Sequence, residues 1–144
     1  MESNPSARLV PSMERASHAV SVWIEAELRD TGISQAEAHV LGYMTQVGRC
    51  SINDLHHDFG HRRSTLTSIL DRLEGRDLLR RLPHPSSRRS VMLELTDRGL
   101  AAGHQVTALV AVLETFVRRE TAAGDLEGFY RVIKAIEEGA HDRR

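Results

Sequence analysis

The stretch from Cys50 to Gly99 constrains the fold most strongly, because a capped helix, a tight turn, a second helix and a hairpin follow one another in it without interruption. Ser51 can offer its hydroxyl to the backbone N–H of Asp54, whose carboxylate can reach back as in a capping box. Gly60 can take the left-handed conformation that ends a helix. The pattern predicts a short helix whose apolar side consists of Ile52, Leu55 and Phe59.

A second amphipathic helix is predicted over roughly Arg62 to Glu74. Its apolar stripe has i, i+3, i+4, i+7 spacing and consists of Leu66, Ile69, Leu70 and Leu73. At about 100° per residue, the opposite face carries Ser64, Ser68 and Asp71, flanked by His61, Thr65, Thr67 and Arg72. Small hydroxyl groups on that face would let the helix approach the base edges of DNA closely.

A β-hairpin is predicted after the second helix. Leu78 and Leu79 favour a buried entry to a strand that continues to Leu82. The turn is predicted over Pro83, His84, Pro85, Ser86 and Ser87. The returning strand shows a period of two, in which Met92 and Glu94 alternate with Val91, Leu93 and Leu95. Guanidinium groups would therefore lie near the tip of the hairpin, at Arg88 and Arg89.

Positive charge is concentrated in this central region although the whole chain has a net charge of −1. Residues 60–98 contain nine arginines and five acidic residues, a net charge of +4, whereas the remainder has a net charge of −5. A solvated surface on a protein that uses almost no lysine would also be rich in arginine. The placement of arginine at the hairpin tip and at the start of the second helix instead favours phosphate contacts.

These residues, in this order and at these spacings, resemble the MarR family of bacterial winged helix-turn-helix regulators. The resemblance rests on three groups of residues, namely Ser64-Thr65-Leu66-Thr67, Leu73-Glu74, and Arg88-Arg89 followed by Leu95-Thr96-Asp97-Arg98-Gly99. The length of the chain and the order of its helices resemble the family over nearly the whole sequence. The motifs themselves match only over about the central third. The resemblance implies a mainly α fold with a small β-hairpin wing: a winged helix-turn-helix lobe over residues 34–98 and dimerisation helices over 10–30 and 100–140, in a single domain.

The chain departs from the family pattern at two positions. The family wing usually carries an aspartate two residues before the second arginine, where this chain has Ser87. The family also favours glycine just before the entry to the wing, where this chain has Asp77. Aspartate tolerates the left-handed region better than most residues, so we expect the turn to persist.

Three further amphipathic helices are predicted, over Val10 to Leu28, Asp97 to about Arg119, and Asp125 to Gly139. Thr96 is the expected N-cap of the second of them, with an aspartate in its first turn. Their apolar stripes cannot all be buried within a small winged domain, which indicates a second copy of the chain as partner. A two-fold dimer would space two recognition helices about 34–36 Å apart on a palindromic site.

Other residues allow sharper hypotheses, each set against a simpler one. Cys50 is the only cysteine in the chain. Redox-sensing relatives use a cysteine near the start of their first helix, whereas Cys50 lies just before the helix-turn-helix. A small buried hydrophobic residue is therefore its favoured role. A metal site could be formed by His56, His57 and His61. Only His57 and His61 have i, i+4 spacing, and Gly60 interrupts the helix between them. A solvated or phosphate-facing role is therefore favoured for these histidines. Trp23 fits a core or dimer interface better than a ligand platform.

The sequence contains no nucleophile with a base, no glycine-rich phosphate loop and no metal-ligand set, so we expect neither an enzyme nor a cofactor. We also expect no hydrophobic run long enough to cross a bilayer, and the polar N-terminus, Met1 to Arg8, has no signal-peptide core. The lone cysteine excludes an internal disulfide, which fits a cytoplasmic protein.

Two hypotheses follow. The first is a homodimeric regulator of transcription that binds a palindromic operator in double-stranded DNA, with repression, and release by a small aromatic effector, implied by the resemblance. Its candidate DNA-binding residues are His61, Arg62, Arg63, Ser64, Thr65, Thr67, Ser68, Arg72, Arg88 and Arg89. The second is a winged protein-interaction module without DNA affinity. Only the first predicts binding that weakens steeply with added salt.

Overall fold

A computed structural model of the chain describes residues 8–59 and 63–141, with the backbone alone for Arg63 and His141. The described residues form six α-helices, one 3-10 helix and three strands. In chain order these are α1 (Leu9–Glu27), the 3-10 helix (Arg29–Thr31), α2 (Gln35–Val47), β1 (Cys50–Ser51), α3 (Ile52–Phe59), α4 (Arg63–Gly75), β2 (Leu79–His84), β3 (Ser87–Leu95), α5 (Asp97–Glu120) and α6 (Ala123–His141). The predicted mainly α fold with a small β-hairpin is confirmed.

The helices α3 and α4 are the two predicted in the central stretch. The Ser51 hydroxyl accepts the N–H of Asp54 at 3.1 Å and the Asp54 carboxylate accepts the N–H of Ser51 at 2.7 Å, so the predicted capping box is present. Gly60, predicted to end α3, lies outside the described residues. The stripe of α4 is at most 1% exposed at Leu66, Ile69, Leu70 and Leu73. Because that side is fixed in the core, the opposite side of α4 is fixed toward solvent.

The three strands form one antiparallel sheet in the order β1-β3-β2. Leu93 of the central strand is fully buried and anchors the hairpin to the core. The strand β1 was not predicted, because two residues are too few to show a period of two. Its pairing, Cys50 with Leu93 and Ser51 with Met92, attaches the start of α3 to the hairpin.

The hairpin is longer than the sequence predicted. The strand β2 continues through Pro83 to His84, so only Pro85 and Ser86 remain for the turn. Proline has no N–H for a ladder and is tolerated here because β2 is an edge strand. A register irregularity lies between Pro83 and His84, where the chain adapts to the proline.

The junction between the hairpin and its neighbouring helices confirms two predictions. Thr96 caps α5, because its hydroxyl accepts the N–H of Gly99 at 3.0 Å. Asp77 has φ of 56° and so occupies the left-handed region, as expected for the residue that replaces the family glycine. The two features are joined, since the Thr96 hydroxyl also donates to the Asp77 carbonyl at 2.7 Å.

The chain divides into two compact units, Met1–Leu109 and Val110–Arg144, with the boundary inside α5. The first contains the buried core and the sheet. In the second, the described residues form the distal part of α5 and α6, and many large apolar side chains are exposed: Val112, Phe116, Val117, Phe129, Tyr130 and Val132. In α1 the exposed ones are Leu9, Val10, Val20 and Val22. The prediction that the terminal helices cannot bury all of their apolar stripes within one chain is confirmed, although Ile24, Leu28 and Val106 of these stripes are buried.

The expectation that no apolar run is long enough to cross a bilayer was wrong. The helix α5 has 24 residues and an 18-residue window of mean hydropathy 1.5, which suffices by length and composition. Alanine, glycine and threonine separate its larger apolar residues, so the sequence looks amphipathic rather than continuously apolar. This is weak evidence for a membrane span, because core helices pass the same test and Gly99, Gly103 and Val106 of α5 are buried within the first unit.

Candidate nucleic-acid interface

The solvent face of α4 carries the small hydroxyl residues that the sequence pointed to. Ser64, Thr65, Thr67 and Ser68 are all exposed. The Ser68 hydroxyl donates to the Ser64 carbonyl at 3.1 Å, which keeps it close to the helix surface. A helix with such a face can enter the major groove, which is about 12 Å wide, without steric conflict from long side chains.

Residues 60–62, between α3 and α4, lie outside the described residues. His61 and Arg62 belong to that segment, and of Arg63 only the backbone is described, as the first residue of α4. Their candidate contacts with DNA therefore stay predictions.

One flank of the α4 face is formed by Arg72, whose guanidinium contacts α2. Its Nε donates to the Glu37 carboxylate at 3.0 Å. The Glu37 side chain is only 4% exposed, whereas that of Arg72 is 53% exposed. The pair therefore joins a buried carboxylate to a guanidinium at the surface beside the hydroxyl face.

The opposite flank carries two acidic side chains that share one arginine of the hairpin. Arg81 of β2 is ion-paired with Asp71 at 2.6 Å and with Glu74. The guanidinium offsets one of the two negative charges that would repel phosphates, and it attaches the hairpin to α4. The sequence analysis had placed Asp71 on this face but had no signal for its partner.

The tip of the hairpin presents two arginines to solvent. Arg88 and Arg89 are exposed, and within the described parts of the chain neither guanidinium has an ion-pair partner. The Ser87 hydroxyl, at the position where the MarR pattern has an aspartate, accepts the backbone N–H of Arg89 at 3.4 Å, and it carries no charge that could pair with the guanidinium. Both side chains are therefore available to an external anion.

The base of the hairpin differs from its tip, because its arginines are paired. Arg49 and Arg80 both contact the Glu94 carboxylate. Their hydrogen bonds lower the pKa of Glu94, so this carboxylate stays ionised. The described arginines from 72 to 98 thus divide into the free pair at the tip and five with carboxylate partners, namely Arg72, Arg76, Arg80, Arg81 and Arg98.

The single cysteine is buried, in agreement with its favoured interpretation. Cys50 is 5% exposed and lines a cleft of about 330 Å³ with Tyr43, Asp54 and Asp58 among its neighbours. Burial, and then the two nearby carboxylates, raise the pKa of the Cys50 thiol to about 11. The thiolate is the reactive form, so the geometry disfavours reaction near neutral pH.

This environment predicts slow alkylation of Cys50. At pH 8.5 an ordinary cysteine is about half ionised, so iodoacetamide should modify the folded protein at least about fiftyfold more slowly than the same protein in concentrated urea. Mass spectrometry of quenched samples would give both rates. Similar rates in the two states would show that the thiol is accessible and ionised in the fold.

Two of the described histidines near α3 have different surroundings. The ring of His57 is exposed and lies 3.6 Å from the Asp58 carboxylate. His39 of α2 packs edge-on against Phe59, with ring centroids 4.4 Å apart. Among the described residues, no three or more histidine, cysteine or acidic side chains come together in a way that could hold a metal ion.

The contacts that sequence reasoning missed centre on Glu37. The spacing of Ser34 and Glu37 matches a capping box, and both of its hydrogen bonds are present at the start of α2. That signal could have revealed α2, which was not predicted separately. It could not have revealed the long-range pairing of Glu37 with Arg72 and Arg76, because the partners are 35 or more positions apart.

The order α2, β1, α3, α4 and a two-stranded hairpin defines a winged helix-turn-helix protein. The sequence model of the MarR family matches residues 33–91, from just before α2 into β3. The HTH-type transcriptional regulator PecS of Dickeya dadantii (strain 3937) is 56% identical over 43 residues, which are 30% of this chain and 26% of the PecS sequence. The matched segment therefore spans about a quarter of that regulator.

Solved structures share the fold over nearly the whole chain. MepR of S. aureus in its DNA-binding conformation has a TM-score of 0.85 at 18% identity, covering 93% of this chain and 99% of MepR. A mutant of MarR from E. coli complexed with operator DNA has a TM-score of 0.76 at 22% identity, covering 89% of this chain and 92% of MarR. At these identities the likeness establishes the fold alone.

Proposed function

We propose that this protein is a homodimeric regulator of transcription that binds a specific palindromic site in double-stranded DNA. The observation that carries the proposal is the exposed hydroxyl face of α4, whose opposite side is fixed in the core, beside a wing whose tip arginines have no ion-pair partner within the described residues. The fold shared with MepR and MarR, crystallised in a DNA-binding conformation and with operator DNA respectively, supports it. No catalytic activity or cofactor is part of the proposal.

The residues divide between sequence recognition and backbone contact. Ser64, Thr65, Thr67 and Ser68 would enter the major groove, where hydroxyl groups can donate to or accept from base edges. Arg88 or Arg89 would reach the adjacent minor groove, and phosphates would be contacted by His61, Arg62, Arg63 and Arg72. Backbone contacts hold the protein on any duplex, and the helix contacts discriminate among duplexes.

A second copy of the chain would cover the exposed apolar side chains of the terminal helices. Phe129 and Tyr130 of α6 are 54% and 62% exposed, and Phe116 of α5 is 53% exposed. Exposed aromatic and aliphatic residues in such number mark an interaction surface rather than ordinary protein surface. A two-fold partner would also explain a palindromic site, since each copy would bind one half.

Dimerisation predicts a specific effect of charge at this surface. Phe129→Asp should shift the protein from dimer toward monomer by at least about tenfold in dissociation constant, because the carboxylate would have to be buried without a partner. Sedimentation velocity over a concentration series measures the shift. Val47→Asp, which changes another exposed apolar residue outside the terminal helices, is the control and should leave the dimer intact. A Phe129→Asp protein that dimerises normally would contradict this interface.

The regulatory outcome is proposed on the family resemblance. We propose repression of transcription in the cytoplasm, relieved when a small aromatic compound binds and lowers DNA affinity by favouring a conformation that does not fit the operator. A screen of phenolic compounds against the protein–DNA complex tests this extension. Release by none of them at millimolar concentration would remove ligand control but not DNA binding.

A protein-interaction module is the second candidate, favoured by the extensive pairing of the described arginines with carboxylates. Selection of bound duplexes from a random pool distinguishes the two. A regulator should enrich one palindrome with half-sites about one helical turn apart. A protein-interaction module should enrich no sequence.

A further inference from the structure

We propose that Glu37 is a positioning residue for DNA binding, which holds Arg72 with the outer edge of its guanidinium directed at the DNA backbone. This role depends on the proposed function, because it requires that α4 binds DNA. Glu37 lies on α2, whereas the candidate DNA contacts next to it lie on α4.

Glu37 is an unusually buried carboxylate with every partner it needs. Its Oε2 accepts the N–H of Ser34 at 2.8 Å, and its Oε1 accepts the Nε–H of Arg72 at 3.0 Å. The Nη1 of Arg76 lies 3.5 Å from Oε2. A carboxylate that is 4% exposed is stable in the core only with such a set of donors, so its position is well determined.

Arg72 is held by one edge and open at the other. Glu37 accepts a hydrogen bond from Nε, and the Nη groups have no partner among the described residues, while the Arg72 side chain is 53% exposed. One turn separates Arg72 from Ser68, so both lie on the same side of α4. A guanidinium fixed in this way is already oriented toward the phosphates that would flank a helix in the major groove.

The charges of the group show that Glu37 does not cancel the attraction of Arg72 for DNA. Two guanidinium groups share one carboxylate, which leaves a net charge of +1. Arg76 is directed at the protein, because it also donates to the carbonyls of Thr31 at 2.7 Å and Gly32 at 2.8 Å. Of the two guanidinium groups, Arg72 is therefore the one whose remaining donors are open at the surface of α4, and fixing its side chain in advance lowers the entropy cost of binding.

A double-mutant cycle on DNA affinity tests this role. Arg72→Ala should weaken binding about tenfold and lower the slope of log affinity against log salt by about 1.8, the value of one phosphate contact in each protomer of the dimer. Glu37→Gln retains an oxygen for the capping box but loses the ion pair, so it should weaken binding about threefold with the slope unchanged. In the Arg72→Ala background, Glu37→Gln should cause no further loss.

Three results would overturn the role. Equal losses from Glu37→Gln in both backgrounds would show that Glu37 acts on the fold and not through Arg72. Tighter binding by Glu37→Gln would show that Glu37 withholds Arg72 from DNA. If Glu37→Gln fails to fold, Arg72→Lys keeps the charge without the fork, and undiminished affinity of that variant would overturn the role as well. Absence of selective, salt-sensitive binding by the wild type would instead refute the proposed function itself.

Discussion

Gly99→Ala should destabilise the protein by about 3 kcal/mol or more, enough to abolish much of the stability of an ordinary domain. A Cβ at this position would lie 1.7 Å from the carbonyl oxygen of Leu78, far inside any tolerated contact. That carbonyl cannot retreat easily, because it accepts the N–H of Thr96 at 3.2 Å. The first turn of α5 would have to move away from the base of the wing.

Urea unfolding at a fixed protein concentration measures this effect, since oligomerisation makes stability depend on concentration. Gly75→Ala is the matched control, because no atom lies within 4 Å of the Cβ that it would add at the end of α4. We expect its transition midpoint to equal or exceed that of the wild type. A Gly99→Ala protein as stable as Gly75→Ala would mean that α5 and the wing do not meet as described.

The second large effect is expected at the wing. Arg89→Ala should weaken binding about tenfold on cognate and random duplexes alike and reduce the salt dependence, because Arg89 has no ion-pair partner among the described residues and can contact the DNA backbone or minor groove. Thr65→Ala and Ser68→Ala should leave binding to random DNA unchanged and lower discrimination about fivefold.

Fluorescence anisotropy with labelled cognate and random duplexes provides both quantities. Arg15→Ala on α1, an exposed arginine hydrogen-bonded only to Ser12 among the described contacts, is the control for loss of one positive charge. We expect its affinity to stay within about twofold of the wild type. Equal losses on both duplexes for Arg89, Thr65 and Ser68 variants would remove the division between wing and helix.

Local signals made much of the fold predictable. The capping box at Ser51 and the stripe from Leu66 to Leu73 each involve residues within a few positions, and the structure confirms both. The left-handed conformation of Asp77 was predictable for the same reason, because a short turn allowed few alternatives. Short-range patterns therefore predicted the elements that carry the candidate interface.

Long-range contacts were not predictable in this way. Nothing near Arg72 in the sequence indicates that Glu37 is its partner, and nothing near Arg81 indicates that it binds Asp71 and Glu74. Most of these partners lie within residues 60–98, so their pairing leaves the net charge of +4 unchanged but decides which arginines have no carboxylate beside them. The structure places the unpaired ones, among the described arginines of this segment, at the wing tip.

The most direct test of DNA recognition is a mobility shift on duplexes from the DNA upstream of the protein's own coding sequence, against shuffled duplexes, at about 50 and 200 mM salt. A dimer that contacts several phosphates should bind one duplex selectively and lose about 10³-fold or more in affinity between these salt concentrations. Absence of selective binding at the lower salt concentration, or binding that does not respond to salt, would contradict DNA recognition by α4 and the wing.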